Sequence, residues 1–185
     1  MYFLDSHGYP DGTLYPDFKS TYDWIKPDQV AYYKEMALAN RKAYNASSNA
    51  SSALPAVMFF HIPLLEYASV GSATHRSGDM NEYPGSSEIQ SNLFSALVEM
   101  GDVKATFVGH DHLNEFCYKR QDIQLCYGGS MGFAQAYGSA QFARRSRVIE
   151  WSMDSNSTRQ IKSWKRHYGS VFDTRQHEEI LYKGV

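Results

Sequence analysis

The chain has 185 residues, of which 43% are hydrophobic and 21% are charged, a composition typical of a globular protein with enough length for one domain. Its net charge of −2 gives no broad basic surface for nucleic acid or an anionic membrane, so we expect neither partner. The longest apolar runs are too short to span a membrane, and the first residues lack the basic start and long apolar stretch of a signal peptide.

Strands and helices alternate in the predicted structure of the first 108 residues. Apolar runs predict strands, and the spacing of apolar residues after Pro27 and before Gly101 predicts two helices. The predicted elements are a strand at 1–5, a helix at 27–43, a strand at 56–60, a helical turn near 64–68, a helix at 88–100 and a strand at 103–108. This βαβαβ order, with strands that are apolar almost throughout, predicts a parallel sheet covered by helices.

The chain after residue 112 has a different pattern. Alternating apolar and polar residues predict two antiparallel hairpins, one formed by 115–119 and 124–127 and the other by 145–153 and 158–165. The basic run Arg144–Arg147 is interpreted as the solvated start of a strand, and no pattern is visible from Gly169 onwards. We therefore predict an α/β fold, parallel βαβαβ followed by antiparallel hairpins, in a domain of residues 1–168 with a tail at 169–185.

Cysteines and glycosylation motifs bear on the cellular compartment. Cys117 and Cys126 face each other if the first hairpin is symmetric, so either a disulfide or two buried thiols are predicted. Asn45, Asn49 and Asn156 each begin an N-x-Ser/Thr motif, the first two in a stretch predicted to be an exposed loop. Such motifs are used only in the secretory pathway, and they favour a secreted or vacuolar glycoprotein.

Three histidines follow the ends of two predicted strands. His110 and His112 lie in Gly109-His110-Asp111-His112, directly after the strand at 103–108, and His61 follows the strand at 56–60. Functional residues of parallel sheets gather where the strands end, so we expect these side chains to lie close together. Imidazole is a common ligand of divalent metals, and the three histidines are therefore predicted metal ligands.

These motifs resemble those of the calcineurin-like metallophosphoesterases, in particular the branch related to purple acid phosphatases. The likeness rests on Phe59-Phe60-His61-Ile62-Pro63, on Val108-Gly109-His110-Asp111-His112 and on Cys126-Tyr127-Gly128-Gly129-Ser130, and it runs from Tyr2 to about Arg166. The resemblance implies a metallophosphoesterase sandwich with two divalent or mixed-valence metal ions (Fe, Zn or Mn) about 4 Å apart. Together these ions bind a phosphate ester. It implies His61 and His110 as ligands of the second metal and His112 of the first, with Asp111 in a role other than ligation.

The sequence also departs from the pattern of that family. The amino-terminal motifs with the remaining ligands, including the bridging aspartate, are not found. Asp5-Ser6-His7 has the form of one such motif but lies in a stretch that matches the middle of the family, and Gly101-Asp102 is interpreted as a helix stop. We therefore predict a partial metallophosphoesterase sandwich, the carboxyl-terminal portion of the domain.

A phosphoric ester hydrolase is the predicted function of the complete domain. The chain alone is expected to bind fewer than two metals or none and to be nearly inactive. The substrate of the complete domain is expected to be a phosphate ester. The missing amino-terminal half, or a second copy, is expected to cover an exposed part of the core. The alternative is a non-catalytic metal-binding or interaction module that retains half of the fold.

Other candidate residues receive a structural interpretation. His75 is assigned to a solvated loop, and His167 and His177 are assigned to the surface. The glycine-rich run Gly128–Gly132 is interpreted as a turn that lets the chain pass close to the metal site. Tyr127 and Tyr137 are predicted either to line the pocket mouth or to pack in the core.

Overall fold

Six strands form the larger sheet of the computed structural model, which describes residues 1–18, 21–48, 53–72, 76–133, 142–171 and 174–184. In chain order they are β1 (Tyr2–Phe3), β2 (Ala56–Phe59), β3 (Arg76–Ser77), β4 (Val103–Val108), β5 (Cys117–Arg120) and β6 (Ile123–Tyr127). Their spatial order is β1-β2-β4-β6-β5-β3. Strands β1, β2, β4 and β6 are parallel, and β5 runs antiparallel to both of its neighbours.

Three long antiparallel strands form the smaller sheet. They are β7 (Arg145–Met153), β8 (Arg159–His167) and β9 (Gln176–Gly184), and β8 lies in the centre. The two helices are α1 (Pro27–Ser48) and α2 (Leu93–Met100), with 3₁₀ turns at Pro16–Phe18 and Leu65–Ser72. The predicted α/β class, with a parallel-rich sheet followed by antiparallel hairpins, is confirmed.

Two hydrophobic cores stack these elements in three layers. The larger core contains Tyr33 of α1 and Leu97 of α2 together with Met58 and Val103 of the larger sheet. The smaller core lies between the sheets, where side chains such as Val57 and Phe107 accompany Ile161 and Leu181 of the smaller sheet. Burial on both faces explains why β2 and β4 are apolar almost throughout, since a strand covered on both sides has no polar face.

Both helices have different limits from those predicted. Helix α2 begins at Leu93 rather than at residue 88, because Asn92 adopts a left-handed conformation (φ 61°) and the Ser91 hydroxyl accepts the Leu93 N–H at 3.2 Å. Its end is as predicted, since Gly101 (φ 67°) donates its N–H to the Leu97 carbonyl. Helix α1 continues to Ser48, so Asn45 lies in a helix and the prediction of a loop there was wrong.

The carboxyl-terminal strand was not predicted. Residues 169–185 were interpreted as a tail without a pattern, yet β9 pairs with β8 along most of its length. Two register shifts in this pairing, at Ile161/Lys162 and Ser163/Lys165, interrupt the strict alternation that reveals a strand in sequence. His75, Tyr137 and the Asn49 motif lie outside the described residues.

A disulfide joins the first hairpin. Cys117 and Cys126 are directly paired residues of β5 and β6, their Cα atoms are 4.1 Å apart, and their sulfur atoms are bonded. The structure therefore decides between the two predicted states in favour of the disulfide. This bond lies within the larger sheet and does not tie the two sheets together.

One side of the larger sheet is incompletely covered near β1. Phe3, Phe59 and Phe107 stack in a row with ring centroids 5.2 and 5.3 Å apart, and Phe3 is 72% exposed. Between this row and strand β7 lie two adjoining cavities of about 510 and 700 Å³, which share Phe59 and Ile149 and extend to Trp151. We call this region the aromatic groove, defined by Phe3, Phe59, Phe107, Ile149 and Trp151. No helix in the described part of the chain is long and apolar enough to cross a membrane.

Candidate metal centre

His61 and His110 meet where two neighbouring parallel strands end. His61 follows β2 and His110 follows β4, and their ring centroids are 5.3 Å apart at an interplanar angle of 86°. The Gly109 N–H donates to the His61 carbonyl at 3.2 Å, which fixes the two strand ends side by side. A Cβ atom on Gly109 would lie 3.1 Å from His61 Nδ1, so the glycine permits this close approach.

The backbone at His110 adopts an unusual conformation. Its φ of 69° places this residue in the left-handed region, which non-glycine residues rarely occupy. Its ring packs edge-on against Tyr22, with centroids 4.4 Å apart. Such a conformation persists only where the surrounding structure holds it. Residues of this kind cluster at functional sites.

The electrostatic environment of His110 includes both other predicted ligands. Burial lowers the pKa of His110, Asp111 opposes this shift, and the nearby His61 and His112 add to it. His61 is exposed, whereas His110 and His112 are half-buried. His61 and His112 are therefore close enough to His110 to affect its pKa, and His61 is open to solvent.

Asp111 holds in place the segment Gly109–His112, which we call the histidine loop. Its carboxylate accepts the Gly85 N–H at 3.1 and 3.0 Å and also accepts the hydroxyl of Tyr127. Tyr127 is fully buried and packs against Tyr67 and Phe116, so it belongs to the core. Asp111 thus links the histidine loop to the core and to the segment around Gly85.

The donor set fits a metal in kind but not in number. Imidazole suits Fe, Zn and Mn, but within the described ranges no group of three or more His, Cys, Asp or Glu side chains converges on a point where a metal could sit. A tetrahedral or octahedral centre requires four to six ligands. The described residues therefore do not form a complete metal centre by themselves.

The Asp5-Ser6-His7 motif lies at the same edge of the larger sheet. The Ser6 hydroxyl accepts the N–H of Ile62, the residue after His61, at 2.9 Å. His7 Nδ1 lies 3.4 Å from the Asp5 carboxylate, and His7 Nε2 lies 3.1 Å from the side-chain nitrogen of Gln29. Both ring nitrogens of His7 are thus in contact with groups of this chain.

Asp102 has a structural role. The hydroxyls of Tyr2 and Tyr33 both donate to its carboxylate at 2.6 Å. Gly101-Asp102 is confirmed as a helix stop, because Gly101 caps α2 and Asp102 anchors two tyrosines beside the start of β4.

A buried ionic cluster beside the histidine loop was not predicted. Glu115 lies 2.9 Å from Lys165 Nζ and 3.7 and 3.9 Å from the guanidinium groups of Arg145 and Arg147, and Arg147 also pairs with Glu179 at 2.9 Å. The side chains of Arg145, Arg147 and Lys165 are 7%, 2% and 1% exposed. The interpretation of Arg144–Arg147 as a solvated run was therefore wrong for Arg145 and Arg147. Their spacing of two residues places both side chains on one face of a strand, and this was the signal available in the sequence.

The glycine-rich turn passes close to this cluster. Gly129 has a φ of 82°, and a Cβ atom there would lie 3.1 Å from Arg145 Cγ. Gly128 and Gly129 also line the same cavity as His61 and Gly109. His177 is exposed as predicted, whereas His167 is half-buried, because the start of β7 pairs beside it.

The curated relatives of this chain are purple-acid-phosphatase-like proteins. It is 36% identical over 173 residues to "Probable inactive purple acid phosphatase 29" of Arabidopsis thaliana, an alignment that covers 90% of this chain and 43% of the relative. It is 34% identical to "Probable inactive purple acid phosphatase 14" of the same plant, covering 97% and 44%. It is 35% identical to "Phosphatase DCR2" of Saccharomyces cerevisiae, covering 94% and 30%.

The chain therefore spans less than half the length of these relatives. No protein-family model matches it. No solved structure matches it.

Proposed function

We propose that this chain, which is related over nearly its whole length to purple-acid-phosphatase-like proteins, is the carboxyl-terminal part of a metal-dependent phosphoric ester hydrolase. The observation that supports this proposal is the meeting of His61 and His110 at the ends of β2 and β4. Together with His112 they supply imidazoles to a dinuclear centre of Fe, Zn or Mn. Polypeptide outside this chain supplies the remaining ligands.

The small number of ligands argues that this chain alone does not turn over substrate. Three imidazoles divided between two metals leave both metals short of ligands. The bridging carboxylate that the family resemblance implies has no counterpart among the motifs of this chain. In the complete domain, metals held in part by His61, His110 and His112 would supply Lewis-acid chemistry toward the phosphate ester.

The aromatic groove is the proposed docking surface for that outside polypeptide. Its cavities reach from Trp151 to His61, so a segment that filled them would lie against His61. Burial of apolar surface contributes about 25 cal/mol for each Å² removed from water, and this row of phenylalanines offers such surface. The occupant is the amino-terminal half of the protein or, failing that, a second copy of this chain.

Metal content and turnover, measured on one sample, test the proposal. After purification in metal-free buffer the chain should bind fewer than two Zn²⁺ or Mn²⁺ ions and should not hydrolyse p-nitrophenyl phosphate. The His110→Ala variant should bind metal at least about tenfold more weakly than the wild type, since a ligand is removed. His177→Ala, which changes an exposed histidine on β9, is the matched control.

Two results would contradict the proposal. Two tightly held metals with turnover that His110→Ala abolishes would mean that the centre is complete within these residues. Equal metal affinity in the wild type and in a variant with alanine at His61, His110 and His112 would mean that these histidines are not ligands.

A non-catalytic role is the second candidate, because two of the three relatives described above carry names that begin "Probable inactive". Co-expression with the portion of Phosphatase DCR2 that this chain does not match distinguishes the two candidates. Restored hydrolysis favours the enzyme, and a stable but inactive complex favours the interaction module. Phe3→Ser in the aromatic groove should weaken either complex.

Asn156 is the proposed glycosylation site among the described motifs. It is exposed in the turn between β7 and β8, whereas Asn45 lies in α1 with its side-chain oxygen buried. In a secretory host and on an Asn49→Gln background, Asn156→Gln should remove all glycan mass and Asn45→Gln should remove none. A glycan that persists in Asn156→Gln, measured by intact mass, would contradict this assignment.

A further inference from the structure

The segment Asp79–Gly85 lies against the histidine loop, and we call it the strap. All of its residues are described, and they form neither helix nor strand. Its first residue is fixed in two ways, because the Asp79 N–H donates to the Glu115 carboxylate at 3.0 Å and the Glu115 N–H donates to the Asp79 carbonyl at 2.9 Å. Its last residue donates the Gly85 N–H to the Asp111 carboxylate. The strap is therefore attached at both ends to the segment between β4 and β5.

The side chain of Asn114 attaches the middle of the strap. Its Oδ1 atom accepts the Asn81 and Glu82 N–H groups at 3.0 and 3.2 Å, and its Nδ2 atom donates to the Glu82 carbonyl at 3.0 Å. Asn114 is fully buried. One amide side chain thus bonds three backbone groups of a segment that has no helix or strand to bond them.

Gly85 brings the strap close to the ring of His110. A Cβ atom on Gly85 would lie 3.2 Å from both Cδ2 and Nε2 of that ring and 2.8 Å from Asp111 Oδ1. A side chain at this position therefore fits only if the ring or the carboxylate moves. The strap lies against the Cδ2–Nε2 edge of the imidazole.

His112 lies between two attachment points of the strap. Before it in sequence, Asp111 accepts the Gly85 N–H. After it, the Leu113 N–H donates to the Glu82 carboxylate. The backbone on both sides of His112 is therefore held by residues of the strap.

We propose that the strap positions His110 and His112, with Gly85 and Asn114 as its positioning residues. Gly85 sets the place of the His110 ring by its close approach, and Asn114 keeps the strap on the histidine loop. The inference rests on the proposed function, in which both histidines are metal ligands. Groups that orient ligands typically change metal affinity 10-fold to 100-fold when they are mutated, although they do not touch the metal.

NMR signals of the His110 imidazole, measured on the metal-free chain, test the positioning directly. Gly85→Ala should shift these signals, because the added methyl group displaces the ring or the Asp111 carboxylate. Gly71→Ala is the matched control, since a Cβ atom there meets nothing within 4 Å, and it should leave the His110 signals unchanged.

Amide hydrogen exchange tests the attachment of the strap. Asn114→Ala and Glu82→Ala should each speed exchange of the Leu113 N–H about tenfold or more, because the strap opens or the acceptor is lost. Glu82→Gln keeps an acceptor oxygen and should restore most of the protection. Equal exchange in Glu82→Ala, Asn114→Ala and the wild type would contradict the attachment.

Zn²⁺ titration connects the strap with the proposed function. Thermal unfolding first shows that each variant is folded. Gly85→Ala and Asn114→Ala should each weaken Zn²⁺ binding about tenfold, and Gly71→Ala should bind as the wild type does. Zn²⁺ affinity that His110→Ala lowers but Gly85→Ala does not would overturn the inference, as would unchanged His110 signals in Gly85→Ala. Zn²⁺ affinity that His110→Ala leaves unchanged would instead reject the proposed ligand, and the NMR signals alone would then decide whether the strap orients its ring.

Discussion

The carboxylate of Asp111 supports the histidine loop through hydrogen bonds to other parts of the chain. It accepts hydrogen bonds from the Gly85 backbone and the buried Tyr127 hydroxyl, and its neighbours in sequence are two predicted metal ligands. Burial raises the pKa of Tyr127, and the charge of Asp111 raises it further, so this phenol remains a donor at any ordinary pH. Asp111 thus has a structural role in holding the segment that carries the two histidines.

Replacing Asp111 by alanine should destabilise the protein. The change leaves the Tyr127 hydroxyl and the Gly85 N–H without their acceptor, at a cost of about 1–3 kcal/mol in the free energy of unfolding. Urea denaturation of Asp111→Ala, Tyr127→Phe and the double variant measures it. The double variant should lose less than the sum of the single losses, because the two residues share one bond. Asp17→Ala, which removes an exposed carboxylate, is the control. Equal losses of stability in Asp17→Ala and Asp111→Ala would refute the structural role of Asp111.

Two tyrosines that share Asp102 should make the protein sensitive to alkali. Burial and Asp102 raise the pKa of Tyr2 to about 12 and raise that of Tyr33 further. Above pH 10 the unfolded chain releases these protons while the folded chain retains them, so the free energy of unfolding falls as pH rises. Each phenol contributes at most about 1.4 kcal/mol for each pH unit.

Urea denaturation at pH 9, 10 and 11 measures this dependence. The variant with phenylalanine at Tyr2 and Tyr33 should lose stability less steeply than the wild type. Tyr32→Phe changes an exposed neighbour on α1 and should have the wild-type slope. Identical slopes in all three proteins would contradict the assignment.

At the scale of elements, the buried ionic cluster ties the smaller sheet to the larger one. Glu115, just before β5, faces basic side chains from β7 and β8, and it also accepts the Asp79 N–H at 3.0 Å. Buried charges are costly to remove from water, and the pairing offsets that cost only while both signs are present. The cluster therefore holds the two sheets in one relative position.

Glu115→Gln should destabilise the protein by about 3–5 kcal/mol, since it removes the nearest carboxylate of the buried Lys165. Replacing Lys165 by methionine in the same variant should recover part of the loss. Glu99→Gln removes an exposed partner of Lys34 and should cost less than about 1 kcal/mol. Denaturant midpoints of the four proteins provide the comparison, and a Glu115→Gln loss no larger than that of Glu99→Gln would exclude this role for the cluster.

The elements that could be predicted are those determined by residues close together in the sequence. The strand before His110 and the glycine that ends α2 each depend on a few consecutive residues, and both are confirmed. The convergence of His61 and His110 followed from the rule that parallel strands end at one edge. Glu115 and Lys165 are 50 positions apart, and only the three-dimensional pairing of the sheets reveals that they are partners.

At the scale of the whole molecule, the aromatic groove leaves apolar surface in contact with water. Phe3 and Trp151 stand at its margins and are 72% and 48% exposed. Exposed apolar patches of this kind mark surfaces that bind another molecule or promote aggregation. The groove is therefore expected to dominate the solution behaviour of the isolated chain.

Substituting serine for Phe3 and Trp151 together should reduce the fluorescence of bound anilinonaphthalene sulfonate several-fold. It should also shift any dimer seen by sedimentation towards the monomer, because apolar contact area is lost. Tyr83→Ser, which removes an equally exposed ring outside the groove, should change neither quantity. Unchanged dye binding in the double variant would place the responsive surface elsewhere.

Strand β9 protects the molecule from a different hazard. It covers one edge of β8, it brings Leu181 into the core between the sheets, and its Glu179 neutralises Arg147. A chain cut after Tyr168 would expose the hydrogen-bonding edge of a nine-residue strand, which is a template for fibril-like stacking with other copies. The seventeen residues after Tyr168 thus contain the strand that protects this edge, and proteolysis before β9 would turn the folded chain into a nucleus for aggregation.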